Sequence, residues 1–240
     1  MLHLPAFLLL WGKDMDKETV RQQSGKITDG SVGLPPGRIA EEVRRLAAYR
    51  TAGAVFVGPS LVLRQIRMNV LGDGKYLLMP SAGLEEGFWA LAPYVLPFGA
   101  LPQAVTPQGI STRGTRLDLA TLAARPISLL VTDALAVDRH GVMVGEGKGF
   151  FDLAVAILQA AGALTAPFAV VAVTGNFLTE AAIEDAQPWD VRADVVLHPG
   201  GVAEFSQERD LPAIFWEALP AKRVRRITPL WQLAQQKGGR

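Results

Sequence analysis

Short apolar runs punctuate this chain, and stretches with apolar residues at helical spacing lie between them. Ala54–Val57, Lys75–Pro80, Ile127–Ala136, Phe168–Thr174 and Val195–His198 read as strands. Their apolar runs lack polar alternation, as expected of strands buried on both faces. Ile39–Tyr49 sets Ile39, Val43, Leu46 and Ala47 at helical spacing, and Leu61–Val70 and Lys148–Leu158 read as further helices. Lys13–Lys26 predicts a helix whose apolar face is thin, with Val20 among polar and charged neighbours. Gly30–Arg38 is a loop by its Gly and Pro content, and Gly83–Gly114 is irregular, with Phe88, Trp89, Tyr94 and Phe98 to pack part of it. Beyond Gly200 the chain turns polar, with a short helix at Ile214–Leu219 and a tail over residues 227–240 expected to be flexible. A helix between two short apolar strands is a βαβ unit, which predicts parallel pairing and a right-handed crossover. The fold class is therefore α/β: a single domain over residues 1–240, with a mostly parallel central sheet and helices on both faces.

Composition narrows the partners. A net charge of +1 gives no bulk attraction for nucleic acid or an anionic membrane. The basic run Lys222, Arg223, Arg225, Arg226 has no interleaved aromatics and reads as a solvated segment. The apolar run Leu4–Trp11 lacks a basic leader and is too short to span a bilayer, so it reads as a strand or a buried segment. The absence of cysteine excludes disulfides and thiolate metal sites and suits a cytoplasmic protein. The three histidines, His3, His140 and His198, have no metal-ligand spacing. His140 is expected at the surface, and His198 at a strand end where ligands often meet a sheet.

One segment argues for a particular chemistry. Leu129–Leu158 runs as strand, turn, the loop GVMVGEGKGFFD, and helix. Alternating Gly145, Gly147 and Gly149 allow tight turns and close backbone approach, and the following helix offers free N–H groups and a positive end to an anion such as phosphate. Lys148 adds a mobile charge, and Asp152 stands where Mg²⁺ bridging phosphates would be held. No Gly-Lys-Ser/Thr follows, so this is not a Walker P-loop, and Phe150 replaces the third glycine of a dinucleotide fingerprint. On spacing alone, a flexible strand-to-helix connection explains the glycines equally well.

The order strand, Asp138-x-x-Gly141, then Gly145, Gly147, Gly149, Phe150, Phe151 and Asp152 resembles the 5-formyltetrahydrofolate cyclo-ligase (methenyltetrahydrofolate synthetase) family. Lys17-x-x-x-Arg21, Gly74-Lys75 with the strand after it, and Asp190-x-x-x-Asp194 look like further pieces of its pattern. The resemblance implies a cyclo-ligase-like domain of NagB/RpiA-type architecture, acting as a monomer or homodimer on a reduced folate, with ATP and Mg²⁺. The reaction it implies is phosphorylation of the formyl oxygen of 5-formyltetrahydrofolate, then N10 attack and loss of phosphate to give 5,10-methenyltetrahydrofolate. By resemblance, Lys17, Arg21, Gly145, Gly147, Lys148, Gly149, Phe150, Asp152 and Asp190 bind the nucleotide. Lys148 and Asp152 are the expected catalytic residues, and the resemblance implies Asp152 on Mg²⁺. Without that resemblance, Lys17 and Arg21, one helical turn apart, read as a solvated helix face.

The pattern also departs from the family. Met143 stands where Arg is usual, Phe150 and Phe151 where Tyr-Tyr is usual, and Leu153 where Arg is usual. Ser128 replaces an Asp, and Asp133 stands where a small residue is common. Lys148 is placed to restore one lost charge. Arg64 and Arg67, with Gln65, are expected either on a folate carboxylate or on an exposed helix face. Trp89, with Phe88 and Tyr94, is expected either to stack on a pterin or to pack in the core, and Phe151 to contact substrate. Two alternatives to the ligase remain open: a non-catalytic nucleotide- or folate-binding paralogue, and a sugar-phosphate or coenzyme A enzyme of similar architecture.

Overall fold

The computed structural model describes residues 14–24, 32–206 and 210–238, so the apolar run Leu4–Trp11 lies outside the described residues. In chain order the helices and strands are α1 (Lys17–Ser24), α2 (Pro36–Arg45), α3 (Ala47–Thr51), β1 (Ala54–Val57), α4 (Arg64–Gly72), β2 (Tyr76–Pro80), β3 (Phe88–Leu91), α5 (Leu101–Ala104), α6 (Pro107–Arg113), β4 (Thr115–Leu117) and α7 (Leu119–Ala123). They continue as β5 (Ile127–Asp133), β6 (Ala136–Asp138), β7 (Met143–Val144), α8 (Phe150–Ala160), β8 (Leu164–Val173), β9 (Phe177–Leu178), β10 (Val195–His198), β11 (Gly201–Glu204), α9 (Ala221–Arg226) and α10 (Thr228–Gly238).

The strands form an eight-stranded sheet of order β11-β10-β8-β5-β1-β2-β3-β4. Its middle, β10-β8-β5-β1-β2, is parallel, and the edges β11, β3 and β4 are antiparallel. The period of two along each strand divides the core between two faces. Val55, Val57, Leu77, Met79, Leu129 and Val131 pack under α2 and α4. Ala54, Phe56, Leu78 and Leu130 pack under α8 and the C-terminal helix. Both faces are covered, which explains the unbroken apolar strands. Burying each such side chain contributes about 1.5–3 kcal/mol. A smaller sheet, β7-β6-β9, carries α1 through a cluster that includes Val20, Ala136, Val144 and Ile183.

The parallel α/β fold agrees with the sequence reading, and several local expectations do not. The helix expected over Ile39–Tyr49 breaks at Leu46, whose backbone is extended, and α2 already begins at Pro36 inside the expected loop. Gly83–Gly114 holds β3, α5 and α6: β3 is aligned antiparallel on β2 (Phe88 opposite Pro80, Leu91 opposite Leu77), a pairing no local pattern announces. Ile214–Leu219 forms only one 3₁₀ turn, at Trp216–Ala218. The segment expected as a flexible tail is helical over Thr228–Gly238 and buries Leu230 against the second face. Among the described residues no helix is long and apolar enough to cross a membrane.

Arg67 overturns its expectation. It is fully buried on α4, and its guanidinium donates to the carbonyls of Val105 (2.8 Å), Gly58 (2.5 Å) and Ser60 (2.8 Å). Burial pushes it down to about 10. Arg64 likewise donates to the Pro102 carbonyl, at 2.7 and 3.1 Å. The two arginines pin the turn after β1 and the α5–α6 excursion onto α4. Both guanidiniums are engaged by backbone carbonyls, and Arg67 is not on an exposed face. Arg67→Met strips buried carbonyls of their donor and is expected to cost about 3 kcal/mol of stability. Urea denaturation checks this; a loss under about 1 kcal/mol would mean the turn finds other donors.

Candidate active site

The chain leaves β1 toward β2 on one side of the sheet, and β5 lies on the other. A parallel sheet opens a crevice at the carboxyl ends of such strands, where their connections diverge. Pro59 and Ser60, which follow β1, and Thr132, Asp133 and Ala134, at the end of β5, line a cavity of about 670 Å³ there. The glycine loop forms another wall of it. That volume suits a small-molecule ligand.

The loop leads from β7 into α8. Asp138 fixes its approach: one carboxylate accepts from the N–H groups of His140, Val142 and Ile183, each at 2.8 Å. The Asp-x-x-Gly pattern is therefore a turn lock, completed by Gly141 at φ +74°. Further along, Gly147 has φ +85°, and a side chain there would meet the Arg21 guanidinium at 3.2 Å. Gly149, left-handed at φ +59°, precedes the first turn of α8, whose first N–H groups lack intrahelical acceptors. The rest of α8 is apolar and buried over Leu153–Leu158, so its N-terminus is held rigidly at the cavity.

Helix α1 supplies the far side. Lys17 forms an ion pair with Asp190, both side chains nearly buried. The Lys17 backbone N–H donates to Asp185 at 2.9 Å. Arg21 donates from Nε to the Gly145 carbonyl at 3.0 Å, tying the helix to the loop. Asp190 also accepts from the Gln187 N–H at 2.5 Å. Asp152 accepts from the Val191 N–H at 2.9 Å. Burial raises the Asp152 carboxyl to about 6, the nearby Asp190 adding to the shift and Lys17 opposing it. Asp133 is raised too, chiefly by burial, with Arg67 opposing.

Lys17, Arg21, Gly145, Gly147, Lys148, Gly149, Phe150, Phe151, Asp152 and Asp190 all line this one cavity. Three expected site residues do not: Arg64 and Arg67 are engaged as above, and Trp89 packs against the α2/α4 side of the core. Phe88 is fully buried, and Tyr94 and Phe98 stand in solvent. Lys75 donates to the Ala52 carbonyl at 2.7 Å, Asp194 accepts from the Val170 N–H at 2.7 Å, and His198 lies against the Phe177 ring at 4.8 Å; none lines the cavity. His140 is exposed, as expected, and accepts from Arg139. Sequence reading missed Ser60, Thr132, Asp185 and Trp189 as lining residues. The strand ends at Pro59–Ser60 and Thr132–Asp133 carried a usable signal, because carboxyl ends of parallel strands border ligands.

Three of the substituted positions pack into the protein, while Phe150 is exposed at the cavity. Met143 and Phe151 pack against the core, Phe151 with its ring 6.0 Å from that of Phe56. Leu153 is buried in the same cluster. Lys148 is exposed, its Nζ 4.0 Å from Glu146. The cavity is thus bordered by three cations (Lys17, Arg21, Lys148) and five carboxylates (Asp133, Glu146, Asp152, Asp185, Asp190). Among the described residues no three His, Asp or Glu side chains converge as a metal cage. Mg²⁺ held by one carboxylate together with ligand phosphates is compatible with that set.

A glycine loop at a helix N-terminus, set at the switch point of a parallel sheet, defines an α/β protein with a crevice at the carboxyl edge of its sheet. Sequence comparison is more specific: the profile of the 5-formyltetrahydrofolate cyclo-ligase family matches residues 17–199, and the chain belongs to that family. A methenyltetrahydrofolate synthase domain-containing protein of Bos taurus is 30% identical over 210 residues, covering 83% of this chain and 53% of the relative. The Homo sapiens protein of that name is 26% identical over 209 residues, with coverages of 83% and 53%. The chain thus spans about half the length of the curated relatives it matches. The Aquifex aeolicus 5,10-methenyltetrahydrofolate synthetase structure superposes with a TM-score of 0.52 at 16% identity, over 84% of this chain and 99% of that one, a likeness of fold.

The raised Asp152 carboxyl has a measurable sign. Its folded pKa, about 6, lies above the ordinary 3.8, so the folded state holds the proton more tightly across that window. Stability therefore falls as pH rises through it, and the whole penalty is present above pH 6. Asp152→Asn, which keeps an oxygen for the Val191 N–H, is expected to flatten this slope and to raise stability at pH 7.5 by up to about 3 kcal/mol. Urea denaturation at a series of pH values reads it; an unchanged slope would assign the pH dependence elsewhere.

Proposed function

We propose that this protein is an ATP-dependent 5-formyltetrahydrofolate cyclo-ligase, converting 5-formyltetrahydrofolate to 5,10-methenyltetrahydrofolate. One observation carries the reading. Lys17, Arg21 and Asp190, remote in sequence from the loop, converge with it on one crevice at the N-terminus of α8. MgATP would supply the phosphoryl group that activates the formyl oxygen. The residues' task is positioning and charge neutralisation, which phosphoryl transfer chiefly requires. Loop and α8 N–H groups receive phosphate oxygens. Lys17, held by Asp190, and Arg21, held by the Gly145 carbonyl, present their charges from one helix face. Asp152 would hold Mg²⁺, whose charge would offset the burial penalty that raises this carboxyl.

A second reading, nucleotide or folate binding without turnover, is favoured by the carboxylate excess around the cavity and by the apolar packing of Met143, Phe151 and Leu153.

Incubation of the protein with MgATP and 5-formyltetrahydrofolate is expected to yield a near-ultraviolet-absorbing product together with ADP and phosphate. Lys17→Met is expected to lower kcat/KM about 10- to 100-fold, from the loss of ~1.5–3 kcal/mol of charge-assisted bonding. Nucleotide binding with no turnover at micromolar enzyme would select the second reading.

A further inference from the structure

The three cations bordering the crevice each have a carboxylate close by: Lys17 has Asp190, Arg21 has Glu18 at 3.3 Å, and Lys148 has Glu146 at 4.0 Å. Carboxylates outnumber them around the cavity. A polyphosphate entering such a crevice meets a net negative wall; one bound divalent ion would cancel that formal excess but leave the polyphosphate's own negative charge unmatched. The loop therefore calls for a cation with no carboxylate partner of its own.

Arg223 is that cation, and it comes from α9, beyond the segment 17–199 that the family profile covers. It is half-buried and, among the described residues, ion-paired to no carboxylate. One Nη donates to the Lys148 carbonyl at 2.5 Å, and the guanidinium lies over the Phe150 ring, 5.1 Å from its centroid. It also lines a cavity of about 260 Å³ between α8 and the segment before α9. That cavity shares Gly147, Lys148, Gly149, Asp152 and Trp189 with the main crevice, so the two meet at the glycine loop.

We propose that Arg223 is a phosphate-binding residue of the glycine-loop site, supplied by the C-terminal segment and holding the loop with one N–H while the rest of its guanidinium faces the bound polyphosphate. The inference rests on the nucleotide reading above. It gives the C-terminal segment a function in place of the solvated face that its basic run suggested. Burial lowers the Arg223 pKa.

Calorimetric titration of the full chain with MgATP, MgADP and adenosine tests it. Arg223→Gln keeps a donor for the Lys148 carbonyl and removes the charge. It is expected to weaken MgATP and MgADP at least tenfold, to leave adenosine unchanged, and to reduce the salt dependence of binding. Arg223→Lys is expected to recover most of the loss, and Arg225→Gln, exposed on the same helix, to bind as wild type. Equal MgATP affinity for Arg223→Gln and wild type, with wild type binding, overturns this inference alone. Loss of MgATP and adenosine together, or no recovery with lysine, also overturns it, leaving Arg223 a structural latch. Absence of MgATP binding by the wild type overturns both it and the reading beneath it. Unchanged urea denaturation of Arg223→Gln separates lost affinity from lost folding.

Discussion

A parallel sheet whose neighbouring strands send their connections in opposite directions cannot close over its own carboxyl edge. Here β1 leads to β2, and β5 to β8, on opposite sides. The gap between them is the crevice, and the rest of the site closes around it. The glycine loop and α8 enter from the small sheet, α1 lies across the loop, and the 185–190 turn meets Lys17. The buried Arg67 guanidinium keeps the gap's shape by gathering the carbonyls of Gly58, Ser60 and Val105.

Electrostatics in this crevice are arranged ahead of any ligand. Lys17 and Arg21 are each held by a partner, so little side-chain freedom remains to be lost when an anion arrives. Asp152 is in the opposite condition: burial holds its proton more tightly, and a cation bound beside it would release it. The apolar residues at Met143, Phe151 and Leu153 belong to the α8 side of the core, where they contribute packing in place of charge. The C-terminal segment, outside the family-matched span, brings Arg223 to that same edge of the loop.

Much of this site was legible in the sequence because its signals are local. The Gly-x-Gly-x-Gly spacing, the Lys17–Arg21 interval of one helical turn and the Asp138-x-x-Gly141 turn each rest on backbone conformation within a few residues. Arg67 and Arg223 were misread, and Trp89 was left open between ligand and core, for one reason. The same basic or aromatic side chain on a short helix or strand can face solvent, ligand or core, and periodicity within one element does not say what packs against it. Three buried carbonyls from two separate loops decided Arg67. One exposed carbonyl, 75 residues away along the chain, decided Arg223.

By itself the sequence determined the α/β class, the strands β1, β2, β5, β8 and β10 to within a few residues, and the glycine loop that opens α8. Unbroken apolar runs and glycines at positive φ are consequences of backbone physics that any fold must respect. Only the tertiary structure decided the order of the strands, the antiparallel edge at β3 and β4, and which charges share one crevice. Those depend on contacts between residues far apart in the chain, whose free energy comes from desolvation and pairing that no single segment contains.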